Sequence, residues 1–284
     1  MMSGELTNPD RNNSSFIIHN STFLDTHAHL DQDEFDADRA AVIARARAAG
    51  VEAIVCPAVS ALSAEAVVRL AEEHELWAAV GIHPNYTAEA KQDDWDRIVE
   101  LAGNPRVVAI GETGLDRYRD YSPLQLQQEY FERHLQLACS RGLPVIIHCR
   151  DAREDMLPML RAAAADGPLV GVLHAFSGTA DFAAECLSLG LHVGFAGNVT
   201  YSNRKNDYLR DVAREIPKDR LLIETDSPYL VPQAFRGRVK RNEPAYVVRT
   251  AAFLAELRGV SVEQLAAATT ANARRLFRLP VGQK

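Results

Sequence analysis

Eight short apolar segments, each followed by an amphipathic segment of helical length, succeed one another along most of this 284-residue chain. The apolar segments, which we predict to be strands, are 23–29, 51–59, 76–82, 107–112, 144–148, 169–174, 191–195 and 220–226. The predicted helices are 36–49, 63–74, 92–102, 123–140, 153–165, 179–189 and 207–216, with 244–257 and 262–277 after the last strand. This alternation is typical of a parallel sheet whose strands are connected by helices.

Metal-ligand side chains at the ends of five strands decide between two forms of this sheet. They come from the first, fourth, fifth, sixth and eighth strands and are His27, His29, Glu112, His148, His174 and Asp226. In an open doubly wound sheet the first and last strands would not meet. Closure brings them together, so we predict a (β/α)8 TIM barrel with these residues at its carboxyl-terminal rim.

Alternation of side chains along a strand predicts that these residues point into the barrel. His27 and His29 are two residues apart and therefore share a face. By the same count Asp25 and Glu224 share the inward face one layer deeper. We predict that they orient histidine ligands through the unligated ring nitrogen, the alternative being a buried ion pair or a hydrogen bond to the backbone.

Glu112 is the natural bridge between two metal ions, because a carboxylate can bind two cations and a neutral imidazole cannot. In the fourth strand Val108 and Ile110 are predicted to share its face. The first ion would take His27, His29, Glu112 and Asp226, and the second Glu112, His148 and His174. Such ligands suit Mg²⁺, Mn²⁺ or Zn²⁺. A water between the ions would be the nucleophile, and Asp226 could accept its proton.

Composition excludes several classes of protein. The net charge of −7 does not favour a broad basic face for nucleic acid, although bound cations could supply positive charge locally. No apolar stretch approaches the ~20 residues that cross a bilayer. Residues 1–21 are polar and are predicted to be a disordered or loosely packed extension, not a signal peptide, ahead of one barrel domain at 22–284.

The four cysteines are scattered singly, without the spacing of a zinc or redox motif: Cys56, Cys139, Cys149 and Cys186. We interpret them as buried, reduced thiols, which favours a cytoplasmic location. By strand alternation Cys149 points away from the face of His148, toward the helices.

Seven motifs follow one another between about residues 22 and 279. They are DTHAHLD at 25–31, GIHP at 81–84, GETGLD at 111–116, PVIIHCRDA at 144–152, HAFSG at 174–178, ETDSPYL at 224–230 and RNEP at 241–244. On these motifs the chain resembles the TatD family of metal-dependent deoxyribonucleases, within the amidohydrolase superfamily. The resemblance implies a TIM barrel, the same six metal ligands, and hydrolysis of DNA, commonly by a magnesium-dependent 3′-to-5′ exonuclease acting on single strands.

Two segments depart from the family pattern. The family often has a second histidine or an aspartate shortly after the His-Pro pair, where this chain has Asn85 and Tyr86. The segment 235–241 is about two residues longer than the usual arginine-glycine-lysine run. Neither segment contains a proposed ligand, so both bear on substrate preference more than on the reaction.

Substrate-binding residues are predicted in the loops at the active rim. The loop after the eighth strand carries the one dense basic run of the sequence, Arg236, Arg238, Lys240 and Arg241, which suits phosphate. A solvated loop is the alternative. His83 at the end of the third strand and Arg150 after His148 could contact phosphate or the leaving group. Tyr118 could stack on a base.

Three functions fit the sequence. The first is a two-metal phosphodiesterase that acts on single-stranded DNA ends, as a monomer. The second is a two-metal hydrolase of an amide, a lactone or an aminoacyl-tRNA ester, and the third a non-catalytic metal-binding scaffold. Many barrels of the superfamily bridge their metals with a carboxylated lysine. Glu112 in that strand favours the nuclease, and the intact ligand set counts against the scaffold.

Overall fold

Eight parallel strands lie side by side in chain order in the computed structural model, which describes residues 21–165 and 167–280. The strands are β1 Phe23–Asp25, β2 Val51–Pro57, β3 Trp77–Val80, β4 Val107–Asp116, β5 Val145–Arg150, β6 Gly171–Leu173, β7 His192–Phe195 and β8 Leu221–Ile223. Apart from Ser21, the predicted N-terminal extension lies outside the described residues.

Helices follow every strand, as the sequence pattern predicts. They are α1 Arg39–Ala48, α2 Ala61–His74, α3 Asp94–Leu101, α4 Leu124–Arg141, α5 Arg153–Ala163, α6 Ala180–Ser188, α7 Asp207–Glu215, α8 Val247–Arg258 and α9 Val262–Phe277. Helix α9 begins with a capping box, in which Ser261 and Gln264 each bond the other's backbone amide.

The first and last strands meet just beyond their regular segments and close the barrel. Ala28 and Ser227 form a parallel bridge, the amide of His29 donates to the carbonyl of Ser227 at 2.8 Å, and that of Asp226 donates to the carbonyl of His27 at 2.8 Å. The closed (β/α)8 barrel is therefore confirmed, and the open doubly wound sheet is wrong. Closure places the proposed ligands of β1 and β8 side by side.

Two apolar clusters fill the layers of the barrel. The inner cluster contains residues from most strands, among them Leu24, Val55, Ile146, Val172 and Leu222, and it includes α9 residues such as Phe277. A hydrogen bond from Thr270 of α9 to the carbonyl of Thr22, just before β1, places this helix at the strand starts. The larger cluster lies between the strands and the surrounding helices. The floor of the barrel is thus apolar, and its polar groups collect at the opposite end.

His134 on α4 holds the end of β3, which leads to His83. Its ring is buried, Nε2 accepts a hydrogen bond from the amide of Ile82 at 2.9 Å, and Nδ1 lies 2.6 Å from the carbonyl of Tyr130. Nδ1 must therefore carry the proton and donate. Burial lowers the pKa of His134 to about 4.

We expect this buried ring to make folding acid-sensitive. Between about pH 6.5 and pH 4 the unfolded chain binds a proton that the folded ring refuses, so stability falls as the pH falls through that window. The contribution at about pH 5 is roughly 2 kcal/mol. Urea unfolding should show that His134→Gln, which can still accept and donate, loses less stability between neutral and acid pH than the wild type. Equal losses would contradict this assignment.

Candidate metal centre

The carboxylate of Glu112 lies at the centre of a cluster of histidines, with a different set of rings facing each oxygen. Oε2 lies 3.1 Å from Nε2 of His27 and 3.5 Å from Nε2 of His29. Oε1 lies 2.7 Å from Nε2 of His174 and 2.9 Å from Nδ1 of His148. One carboxylate therefore faces two separate groups of ligand atoms.

The first group contains His27, His29 and Asp226. The two Nε2 atoms are 3.1 Å apart, and Oδ1 of Asp226 lies 3.7 Å from Nε2 of His27 and 3.5 Å from Nε2 of His29. Asp226 has the left-handed φ of 56°, unusual for a residue other than glycine. The backbone leaves the regular strand at Ile223, three residues before this carboxylate.

The second group contains His148 and His174, whose Nδ1 and Nε2 atoms are 3.3 Å apart. His83 lies beside them, with Nε2 at 3.4 Å from Oε1 of Glu112, while its Nδ1 accepts from the amide of Asn85 at 3.0 Å. The sequence predicts that His83 binds substrate. Its position within the cluster is also that of a ligand.

Two glycines allow β4 to bring Glu112 so close to β5. Gly111 and Gly114 have φ values of +144° and +139°. A Cβ atom added at Gly111 would lie 2.7 Å from the carbonyl oxygen of Ile146. One added at Gly114 would lie 2.0 Å from the carbonyl oxygen of His148. Both positions therefore require glycine, for conformation and for space.

Side-chain alternation predicts the inward face correctly in β5, β6 and β8 but not throughout β4. Ile110 belongs to the outer cluster, whereas Val108 and Ala109 both belong to the inner one. The predicted shared face of Val108 and Ile110 is wrong. Register shifts in the pairing of β4 with β3 and with β5 interrupt the alternation before Glu112.

Asp25 does not orient a histidine ring, so that prediction is wrong. Its carboxylate accepts from the amide of Thr225 at 2.9 Å, from the Thr225 hydroxyl at 2.6 Å and from the amide of His27 at 3.3 Å. These bonds connect β1 to the segment after β8. Desolvation by burial raises the pKa of Asp25 to about 8.

Glu224 lies below His174 without a hydrogen bond to its ring. Oε1 is 3.8 Å from Nδ1 of His174 and accepts from the amide of Ala175, while Oε2 accepts from the Thr26 hydroxyl at 3.1 Å. Gly194 makes room for it, because a Cβ there would lie 2.8 Å from Oε2. Burial raises the pKa of Glu224 to about 7.

Asp116 belongs to the site but is not among the residues predicted from the sequence. Its Oδ2 lies 3.0 Å from Nε2 of His148, which leaves Nδ1 of that ring toward Glu112. Asn85 donates to the same oxygen at 3.2 Å. Strand β4 continues to Asp116, four residues beyond the predicted end of the strand at Glu112. Extending the alternation by those four residues would have placed both carboxylates on one face.

The electrostatics of the cluster separate its groups. Burial works to raise the pKa of Glu112, but the surrounding histidines, His174 first, hold it well below its usual range. Burial also opposes protonation of His29 and His148, yet hydrogen bonds to Asp226 and to Asp116 raise both pKa values to about 9. The carboxylate of Glu112 is therefore ionised, and it lies among imidazole rings that favour a nearby positive charge, either a proton or a cation.

The donor set fits divalent cations. In the part of the chain that the structure describes, the three groups of side chains able to hold an ion all belong to this cluster, with ligand atoms within 4.8 Å of one another. Buried imidazole nitrogens face each other at 3.1 Å and 3.3 Å, an arrangement that needs a proton or a cation between them. Imidazole and carboxylate donors suit borderline or hard divalent ions.

The four basic residues predicted to bind substrate on the loop after β8 divide into two sets. Arg236, Arg238 and Lys240 are exposed on the loop after β8, and the Arg236 guanidinium lies 4.4 Å from the ring centre of Tyr201. Arg241 is not part of this exposed set. Its guanidinium bonds to Asp38 at 2.5 Å, lies 3.4 Å from Glu243 and stacks on Phe35, so it ties the loop to the start of α1.

The cysteines mostly follow the predicted pattern. Cys56 and Cys186 are buried and Cys149 is half-buried on the outer cluster, where burial raises its pKa to about 12. Cys139 is exposed on α4, so its predicted burial is wrong. None of the helices in the described ranges is long and apolar enough to cross a membrane.

Comparison with known proteins shows the family of this chain. Residues 24–278 match the model of the family described as TatD related DNase. The metal-dependent hydrolase YabD of Bacillus subtilis is 43% identical over 90% of this chain and 99% of its own. The 3′-5′ ssDNA/RNA exonuclease TatD of Citrobacter rodentium is 40% identical over 89% and 97%. The crystal structure of the TatD homolog YJJV from Escherichia coli K12 superposes with a TM-score of 0.84 at 34% identity, over 91% of this chain and 98% of that one. The chain therefore belongs to the TatD related DNase family and is a metal-dependent hydrolase of ester bonds.

Proposed function

We propose that this enzyme hydrolyses phosphodiester bonds of DNA with two divalent cations, acting as a 3′-to-5′ exonuclease on single-stranded ends. The observation that carries the proposal is the division of ligands around Glu112. Oε2 faces His27 and His29, and Oε1 faces His148 and His174. A carboxylate in this position suits two cations held side by side.

The proposed ligand sets follow the two groups of the cluster. The first cation would be held by His27, His29, Glu112 and Asp226, and the second by Glu112, His148 and His174. Bound divalent cations would neutralise charge on the phosphate and make water a nucleophile at neutral pH, and Mg²⁺, Mn²⁺ and Zn²⁺ all fit the donors.

The remaining roles in the proposed reaction belong to side chains of the protein. Burial tends to raise the pKa of Asp226, but its hydrogen bond to His29 and the nearby rings lower it, so its carboxylate is ionised and can accept a proton. Asp116 is a positioning residue that fixes the ring of His148. The apolar floor of the barrel lies below the cluster.

The exposed basic loop is the proposed phosphate-binding element. Arg236 of this loop lies over the ring of Tyr201, whose pKa is raised by burial first, lowered by Arg236 and raised by the charge of Asp226. The arginine fork suits phosphate oxygens. Arg150 is the exposed last residue of β5 and is a second proposed phosphate contact.

We expect replacement of Arg236 and Arg238 by alanine to raise KM more than it lowers kcat. The two guanidinium groups would bind the substrate at a distance from the metal ligands. Their loss therefore removes binding that is common to the ground and transition states. Steady-state hydrolysis of a single-stranded oligonucleotide measures both constants. Arg69→Ala on α2, an exposed arginine, is the control. A fall confined to kcat would contradict the assignment.

Labelled oligonucleotides test the activity directly. With Mg²⁺, single-stranded DNA labelled at its 3′ end should release labelled mononucleotides at once, while a 5′ label should remain on a progressively shortened strand. The relatives named as single-strand exonucleases support this substrate.

A two-metal hydrolase of amides, lactones or aminoacyl-tRNA esters is the second candidate. It would be favoured by rapid turnover of such a substrate without any release from DNA. We further propose that the enzyme acts as a cytoplasmic monomer.

A further inference from the structure

Exposed tyrosines concentrate at the carboxyl-terminal mouth of the barrel. Five of the eight exposed large apolar or aromatic side chains in the described ranges are tyrosines, and all five follow strands on this side: Tyr86, Tyr118, Tyr121, Tyr208 and Tyr229. A group of exposed aromatic rings around one opening is the pattern of a surface that contacts a ligand.

Two of these rings form a platform with two arginines. Tyr118 is 56% exposed and Tyr121 61% exposed. The Arg119 guanidinium carbon lies 5.3 Å from the ring centre of Tyr118 and 5.7 Å from that of Tyr121, and that of Arg150 lies 3.7 Å from Tyr118. We call Tyr118, Arg119, Tyr121 and Arg150 the aromatic platform. Cation–π contacts hold its members in place while the rings stay open to solvent.

The aromatic platform is connected to the metal centre through Asp116. Oδ1 of Asp116 accepts from the amides of Tyr118 at 2.8 Å and Arg119 at 2.9 Å, while Oδ2 bonds to His148. Buried Gln127 bonds to the amide and carbonyl of Asp116 and to the carbonyl of Ser122, so both ends of the loop are fixed. The rings therefore sit at a set position beside the reacting centre, which limits the entropy lost on binding.

Charge distinguishes this platform from the other exposed rings. Within the described residues, Arg119 and Arg150 have no carboxylate at salt-bridge distance, whereas neighbouring Arg117 is paired with Asp155 at 2.9 Å. Near the exposed rings of Tyr86 and Tyr229, by contrast, there are carboxylates. Burial first, and then carboxylates that include Asp31, raise the pKa of both hydroxyls. The platform therefore offers a phosphate backbone positive charge that has no carboxylate partner among the described residues.

We propose that the aromatic platform stacks unpaired bases of a single-stranded nucleic acid next to the bond that is cut. This rests on the proposed nuclease function and makes its substrate specific. Open aromatic rings stack on any base, and unpaired arginines can hold the adjoining phosphates. Bases inside a duplex are covered by their neighbours and cannot reach the rings. The platform would thereby select unpaired ends over paired ones.

Binding to a fluorescent oligothymidylate tests the proposal without hydrolysis, in the Glu112→Gln background with Mg²⁺ present. We expect Tyr118→Leu with Tyr121→Leu to raise Kd by about tenfold, equivalent to ~1.4 kcal/mol. Tyr118→Phe with Tyr121→Phe keeps the rings and should leave Kd within about twofold. Val260→Ala, an exposed apolar side chain between α8 and α9, is the control for a general surface effect. Thermal unfolding checks that each variant is folded.

Oligonucleotides that lack one base at a time locate the contact. In the protein with both tyrosines, removal of the base at one or two positions should weaken binding, and in the leucine variant the same removals should have no effect. Equal sensitivity in both proteins, or equal Kd values for the leucine and phenylalanine variants, would overturn the proposal. If the proposed nuclease function is itself wrong, the wild-type protein will release no nucleotide from labelled DNA. That result is distinct from any result of the binding experiments.

Discussion

Glu112→Gln is expected to lower kcat for DNA hydrolysis by about 10³-fold or more while the fold survives. Glutamine keeps the shape of the side chain but loses the charge that both groups of histidines face. Charge stabilisation by metal ions contributes several kcal/mol to hydrolysis, and each ~1.36 kcal/mol lost is a factor of ten in rate. Single-turnover release of nucleotide measures the effect.

A matched substitution separates this loss from a general effect of removing a carboxylate. Glu100→Gln on α3 changes an exposed residue far from the cluster in structure and should retain wild-type kcat. Circular dichroism should show the same helix content in both variants. Hydrolysis by Glu112→Gln at a rate near that of the wild type would show that this carboxylate is not the bridge.

Removal of divalent cations is the second change with a large expected effect. A chelator should abolish hydrolysis, and added Mg²⁺ or Mn²⁺ should restore it. Cations that bind only the folded chain also stabilise it, by about 2.7 kcal/mol at 100 times Kd. For a barrel of this size the corresponding rise in Tm is several degrees, at roughly 2–4 °C per kcal/mol.

The rise in Tm is a readout that does not depend on catalysis. Wild-type protein should gain thermal stability on addition of metal, and Glu112→Gln should gain much less. Metal analysis by mass spectrometry should give two cations per chain for the wild type. Full activity in excess chelator, or an equal rise in Tm for both proteins, would be incompatible with the proposed centre.

The limits of reading this site from sequence are visible in β4. Simple alternation placed Ile110 on the face of Glu112, but register shifts on both sides of the strand turn Ile110 to the outer cluster. Register shifts and the close approach of β5 at Gly111 and Gly114 involve the neighbouring strands, and a single strand read in isolation does not reveal them. The predicted strand ends at residue 112, four residues before Asp116, and this is why Asp116 is not among the predicted site residues.

Arg241 and Asp25 show a second kind of limit. Chain position predicts Arg241 in a rim loop and Asp25 one layer below the rim, but the hydrogen-bond partners of each come from distant segments. Arg241 pairs with Asp38 across more than two hundred residues, and Asp25 bonds to Thr225 across a similar distance. A charged side chain near an active rim is available to substrate only if the folded chain leaves it without such a partner.

By itself the sequence determined the alternation of strands and helices, the closure of the barrel and the six residues proposed as metal ligands. These depend on local periodicity and on residue chemistry, which are properties of short segments. Only the tertiary structure decided which oxygen of Glu112 faces which histidines, that Asp116 fixes His148, and which rim arginines remain free to meet a phosphate. Those outcomes arise from contacts between segments far apart in the chain, where distance and burial, not composition, set the energies.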